Sequence, residues 1–140
     1  MTPTVTGSDY TFADGDALTT GSSNIAMGYS SLSSETTGEF NVAIGEFALQ
    51  NQDGASNNTA IGKDALDSLT SSGENTAVGV GAGHGITLGS SNTCLGVNAG
   101  NSITEGSSNI ILGHNAQPPT AVSNNQVVFE IKRIVVKILS

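Results

Sequence analysis

The stretch Asn58-Thr59-Ala60-Ile61-Gly62 decides the fold, because it returns at a constant step of seventeen residues. Upstream it reads Asn24-Ile25-Ala26-Met27-Gly28 and Asn41-Val42-Ala43-Ile44-Gly45. Downstream it reads Asn75-Thr76-Ala77-Val78-Gly79, Asn92-Thr93-Cys94-Leu95-Gly96 and Asn109-Ile110-Ile111-Leu112-Gly113. Six copies without drift mean one structural unit stacked on itself.

Counting Asn as position zero, position +1 is β-branched in every copy, +3 is always aliphatic and +4 is always Gly. Position +2 is Ala in four copies, then Cys94 and Ile111. Positions +1 to +3 therefore read as a short strand, with +1 and +3 on one face and +2 on the other. Both faces are apolar or small, so burial on both sides is expected. Gly at +4 marks a corner where φ is positive or another backbone comes close. Position +7 is Ser31, then Ala48, Ala65, Ala82, Ala99 and Ala116; position +8 is Leu32, Leu49 and Leu66, then Gly83 and Gly100. Another Gly recurs near position −3, as Gly21, Gly38, Gly54, Gly73, Gly89 and Gly106. Positions +9 to +13, such as Ser33-Ser34-Glu35 and Asn51-Gln52-Asp53, are mostly polar and are expected to face water. The column of Asn side chains suggests stacked amides in a hydrogen-bonded ladder. Helix is a poor alternative, since a seventeen-residue step gathers no stripe at a 3.6 period and glycine at this density is costly there. The expected fold class is all-β: a parallel β-helix or β-roll solenoid with seventeen-residue coils.

Composition agrees with a thin core. The 140 residues include 18 Gly, four Phe, two Tyr and no Trp, so the interior must be lined by Ala, Ile, Val and Leu. The net charge of −8 is uneven: residues 1–125 carry eleven acidic side chains and one base, Lys63. An acidic body does not attract phosphate, which argues against nucleic acid as a partner. The single cysteine, Cys94, permits no intrachain disulfide and reads as a small buried side chain. The sequence shows no basic-then-apolar leader and no apolar run of the roughly 18 residues a membrane span needs, so no membrane insertion is expected.

The ends are atypical, as solenoid caps are. Residues 1–20 read as a connector with a degenerate first coil, in which Gly7-Ser8-Asp9 and Ala17-Leu18 echo later residues at a step of fourteen. Residues 21–117 hold the six repeats. Residues 118–140 read as a capping or subunit-joining strand: Gln126-Val127-Val128-Phe129-Glu130 falls seventeen residues after Asn109, and Pro118-Pro119 is expected to break the winding before it. Val127, Val128, Phe129, Ile131, Ile134, Val136 and Ile138 make the tail the most apolar stretch, an edge that must pair with something.

Gly-Ser-Ser-Asn24-Ile-Ala-Met-Gly28 and Asn58-Thr-Ala-Ile-Gly62-x-x-Ala-Leu66 resemble the repeats of bacteriophage tail fibres, and are similar to the head repeats of trimeric autotransporter adhesins. The resemblance covers about residues 18–117 and implies a homotrimer, intertwined or side by side, displayed on a virion tail or a cell surface. It implies partners among copies of the chain, other virion proteins and a cell-surface glycan or protein receptor. The expected function is a rigid trimeric shaft for host attachment; the alternative is an extracellular filament or adhesin subunit joined through its C-terminal strand. The adhesins' membrane barrel and coiled-coil stalk have no counterpart in these residues.

No catalytic constellation is expected, and no cofactor. Gly79-Val80-Gly81-Ala82-Gly83-His84-Gly85 looks like a phosphate loop, but the repeat already accounts for Gly79, Ala82 and Gly83. His84 and His114 occupy unrelated repeat positions, and a three-histidine ring on a trimer axis is set against simple exposure. The carboxylate pairs Asp14/Asp16 and Asp64/Asp67 have no partner base or nucleophile at a recognisable spacing. Asn57-Asn58-Thr59 is a glycosylation sequon, relevant only in a host that uses it.

Overall fold

The computed structural model describes residues 20–130 and the backbone of residues 10–12. Eight three-residue strands form one parallel sheet in chain order: β1 (Tyr10–Phe12), β2 (Ile25–Met27), β3 (Val42–Ile44), β4 (Thr59–Ile61), β5 (Thr76–Val78), β6 (Thr93–Leu95), β7 (Ile110–Leu112) and β8 (Val127–Phe129). Each coil lies directly on its predecessor, so Ala43 pairs with Ala60 and Ala60 with Ala77. The chain is a β-solenoid of seventeen-residue coils.

The strand stops after three residues because of the glycine at +4. Its φ lies between +122° and +138° in all six copies, a region closed to side chains. A Cβ on Gly62 would also stand 2.5 Å from the carbonyl oxygen of Gly79 in the next coil. Two successive β-turns follow. The Ala65 N–H donates to the Gly62 carbonyl at 3.3 Å, and the Leu69 N–H donates to the Leu66 carbonyl at 3.1 Å. These turns place positions +6 and +8 in the left-handed region, as at Asp64 (φ 57°) and Leu66 (φ 51°). Position −1 is left-handed as well, as at Asn57 (φ 63°).

Hydrogen bonds between coils continue around the circumference, well beyond the strands. The Thr59 N–H donates forward to the Asn75 carbonyl at 2.8 Å, and the Gly62 N–H donates back to Ile44 at 2.7 Å. Across the turns the Asp64 N–H donates back to Glu46 at 2.9 Å, and the Leu66 N–H donates forward to Ala82 at 3.0 Å. Each coil is thus tied to both neighbours, which a single coil cannot replace.

The core is a narrow column of fully buried small and medium side chains: Ala at +2 and +7, Leu at +8, and Ile or Leu at +11. Leu32, Leu49 and Leu66 hold position +8 despite a left-handed backbone that disfavours them. Gly83 and Gly100 then take over that position at φ 61° and 64°. The volume they vacate is filled from +11: a Cβ on Gly83 would lie 3.1 Å from Ile86 Cδ1, and one on Gly100 3.2 Å from Ile103 Cδ1.

The Asn ladder runs the length of the stack. Asn24, Asn41, Asn58, Asn75, Asn92 and Asn109 are all buried. Each Oδ1 accepts the backbone N–H of the residue at position zero in the next coil, for example Asn75 N–H to Asn58 Oδ1 at 2.9 Å and Asn92 N–H to Asn75 Oδ1 at 3.0 Å. Each Nδ2 donates to a carbonyl of the next coil, as Asn41 to Ala55 at 2.8 Å and Asn75 to Gly89 at 3.0 Å.

Several expectations are corrected. The strand is buried on one face only: +2 points inward, whereas +1 and +3 point outward and are half-buried or exposed on the single chain. Position +11 does not face water. Glu35, Gln52, Leu69, Ile86 and Ile103 all turn into the interior at the third corner. Glu35 Oε1 accepts the backbone N–H groups of Thr37, Gly38 and Gly54, and its Oε2 accepts the Gln52 amide at 2.7 Å. Gln52 Oε1 in turn accepts Asn58 Nδ2 at 2.8 Å, which joins this buried polar corner to the ladder. The first coil steps by fifteen rather than fourteen, since Tyr10 pairs with Ile25; Gly7, Ser8, Ala17 and Leu18 lie outside the described residues. Pro118-Pro119 does not break the register, for Ile110 pairs with Val127 at the usual seventeen.

Candidate assembly face

The outward strand positions line up as two columns along the sheet. One column holds Ile25, Val42, Thr59, Thr76, Thr93, Ile110 and Val127; its neighbour holds Met27, Ile44, Ile61, Val78, Leu95, Leu112 and Phe129. None of these fourteen side chains is charged, on a chain of net charge −8. The sheet spacing makes the two columns about 30 Å long and about 14 Å wide, on the order of 400 Å² of aliphatic and threonine surface.

The face is flanked unevenly. On one side, position +5 supplies Tyr29, Glu46, Lys63, Val80, Val97 and His114. Here Tyr29 meets Phe47 edge to face at 5.6 Å between centroids, and Lys63 Nζ lies 5.3 Å over the Phe47 ring. Lys63 also pairs with Glu46 at 2.8 Å, and that hydrogen bond raises the lysine's pKa. On the other side, position −1 carries Phe40, Asn57, Glu74 and Ser91, and a shallow polar groove of about 420 Å³ opens among Ser56, Asn57, Ser71, Glu74 and Ser90.

The residues singled out in the sequence separate into two groups. Asn24, Asn41, Asn58, Asn75, Asn92 and Asn109 are sealed inside, and Gly28, Gly45, Gly62, Gly79, Gly96 and Gly113 form the corner against the next coil. Val127 and Phe129 are exposed at about 60 % on the last strand, whereas Val128 packs on the core. Ile131, Ile134, Val136 and Ile138 lie outside the described residues. Cys94 is buried, and burial pushes its thiol pKa up to about 12. His84 stands 3.5 Å from Asp67, and burial raises the Asp67 pKa against the pull of His84. Among the described residues no cluster of His, Cys, Asp and Glu is arranged to hold a metal, and no helix is long and apolar enough to cross a membrane.

Sequence reasoning missed this outward face because it expected the strand to be buried on both sides. The signal was the Thr59, Thr76 and Thr93 column, since three hydroxyls without an internal partner are costly in an interior as thin as this one.

Fold and surface together define a parallel β-solenoid repeat protein with one uncharged sheet face. Compared with known proteins, the chain matches no family model, no curated protein and no solved structure.

Proposed function

We propose that the chain is a structural segment of a phage tail fibre, working as a rigid homotrimeric shaft that carries host-surface attachment. The observation that carries this reading is the uncharged face formed by the +1 and +3 columns. A soluble chain of this charge would not leave its strand face bare, and three parallel solenoids close that face around a common axis. The depletion of charge and the aliphatic character match the core of an obligate interface. The other sides of each coil, which mix polar residues with exposed Tyr29, Phe40, Val80 and Leu88, stay available to other virion proteins and to a cell-surface glycan or protein receptor. The ladder of buried asparagines, which ties each coil to the next, suits a shaft, and no enzymatic step is assigned to it.

A second reading, a self-assembling extracellular filament or adhesin subunit, is favoured by one observation. Among the described residues β8 is the last strand in the sheet order, and Val127 and Phe129 project from it. A last strand with such side chains suits pairing with a strand from another copy. The readings separate by competition and microscopy. Purified protein that blocks adsorption of the corresponding phage, and appears as short rods of fixed length, supports the fibre. Rods that grow with concentration and leave adsorption untouched support the filament and overturn the first reading.

A further inference from the structure

A stack of near-identical coils has a weakness as a building block: copies packed along the same face can slide by one coil and still meet aliphatic groups with aliphatic groups. A closed ring of three forbids this slide, because any axial stagger between neighbours gives an open helical assembly instead. Something on the face must therefore distinguish one level from the next.

The +1 column carries that distinction. Its seven levels read Ile25, Val42, Thr59, Thr76, Thr93, Ile110 and Val127, so the polar levels are the central three. Among the described residues none of the hydroxyls of Thr59, Thr76 and Thr93 has a hydrogen-bond partner, although the threonines at +12 do: Thr70 and Thr87 donate to the next coil at 3.0 and 3.2 Å. All three are half-buried already on the single chain. The neighbouring +3 column narrows at the same place, with Val78 between Ile61 and Leu95.

We infer that Thr59, Thr76 and Thr93 fix the axial register between copies of the chain, and so decide that the assembly closes as a trimer rather than running on as a filament. The inference rests on the trimer reading above. In register, each threonine level brings three hydroxyls together, and each hydroxyl both donates and accepts. A slide of one coil sets Thr93 level with Ile110 and Thr59 level with Val42, which leaves hydroxyls facing aliphatic groups at both ends of the polar zone. A buried hydroxyl without a partner costs far more than the pair contributes, so the zone acts against wrong registers more than it strengthens the right one. A polar level inside an otherwise apolar seam sets register in coiled coils by the same logic.

The test replaces all three threonines by valine, T59V/T76V/T93V, and separately by serine, T59S/T76S/T93S. Native mass spectrometry and negative-stain microscopy read the assembly, and circular dichroism reads the coils. The expected result is a closed trimer for the parent and the serine variant, and unchanged coils in all three proteins. The valine variant should raise the share of mass above three chains at least about tenfold, with staggered rods of mixed length. A valine variant that remains a closed trimer, or a serine variant that opens, overturns the register role and leaves the trimer reading standing. A parent protein that remains a single chain overturns both.

Discussion

Asn75→Ala is the sharpest test of the ladder. Asn75 Nδ2 donates to the Gly89 carbonyl at 3.0 Å, and its Oδ1 accepts the Asn92 N–H at 3.0 Å. Both partners lie in the interior beside the fully buried Asn75 side chain. Truncation leaves a donor and an acceptor unpaired, at about 1–3 kcal/mol each, so the variant should lose about 2–6 kcal/mol. For a chain of this size that is about 5–15 °C in the thermal midpoint. Circular dichroism on heating measures it, with Asn51→Ala as the control. Asn51 is exposed and donates to the Asp67 carbonyl at 2.8 Å, and its loss should cost about 0.5 kcal/mol or less. Asn75→Asp separates hydrogen bonding from shape. It keeps the acceptor but turns an unprotonated oxygen toward the Gly89 carbonyl, which raises the new carboxyl's pKa in the folded state above its unfolded value of about 3.9. Stability should therefore be low at neutral pH and recover as pH falls through the folded-state pKa. A midpoint for Asn75→Ala that coincides with that of Asn51→Ala would refute the ladder as a stabilising device.

Gly62→Ala should be at least as damaging, because φ is +136° and the new methyl would meet the Gly79 carbonyl at 2.5 Å; we expect a loss of about 3 kcal/mol or more in urea unfolding, and a loss below about 1 kcal/mol would show that the corner relaxes. Cys94 should resist alkylation in the folded protein and react on unfolding. Its thiol pKa is raised from 9.0 to about 12, so its contribution to stability is complete below pH 9 and is lost as pH rises toward 12. Cys94→Ala should flatten that alkaline limb, and an unchanged limb would show that other groups cause it. Deleting residues 127–139 removes β8 and the tail. We expect the circular dichroism of the remaining coils to persist while the oligomer frays or subunits stop joining; unchanged assembly would reduce this segment to a cap.

The architecture was legible because the period fixes the register. Once Asn41 and Asn58 mark the same point of successive coils, Val42 must face Thr59, and the observed pairing follows. The ladder was legible too, since an invariant short amide beside a strand has few other uses. What local patterns hid was direction. Ala60 and Ile61 look equally suited to an interior, but the +2 side is closed by the same coil, whereas the +3 side faces outward on the single chain. Glu35 and Gln52 looked like surface residues because polarity alone was weighed, although Leu69, Ile86 and Ile103 occupy the same position in later coils. Backbone N–H groups at that corner solvate the carboxylate, an arrangement that depends on turn geometry and is invisible in residue type. The left-handed Leu49 and Leu66 were likewise unreadable, because their conformation is imposed by the turns on either side.

The central claim is that the +1 and +3 columns form the interface of a trimer, and mass in solution tests it most directly. Light scattering after size exclusion should give three times the 14.0 kDa chain mass for the parent protein. Ile61→Asp, at an outward position of β4, should give the single-chain mass with its circular dichroism retained, because a carboxylate there is solvated on the monomer and unpaired at the axis. Ala60→Asp, one residue away and fully buried, should instead abolish the folded signal. A parent protein of single-chain mass, or an Ile61→Asp variant that assembles like the parent, would contradict the account.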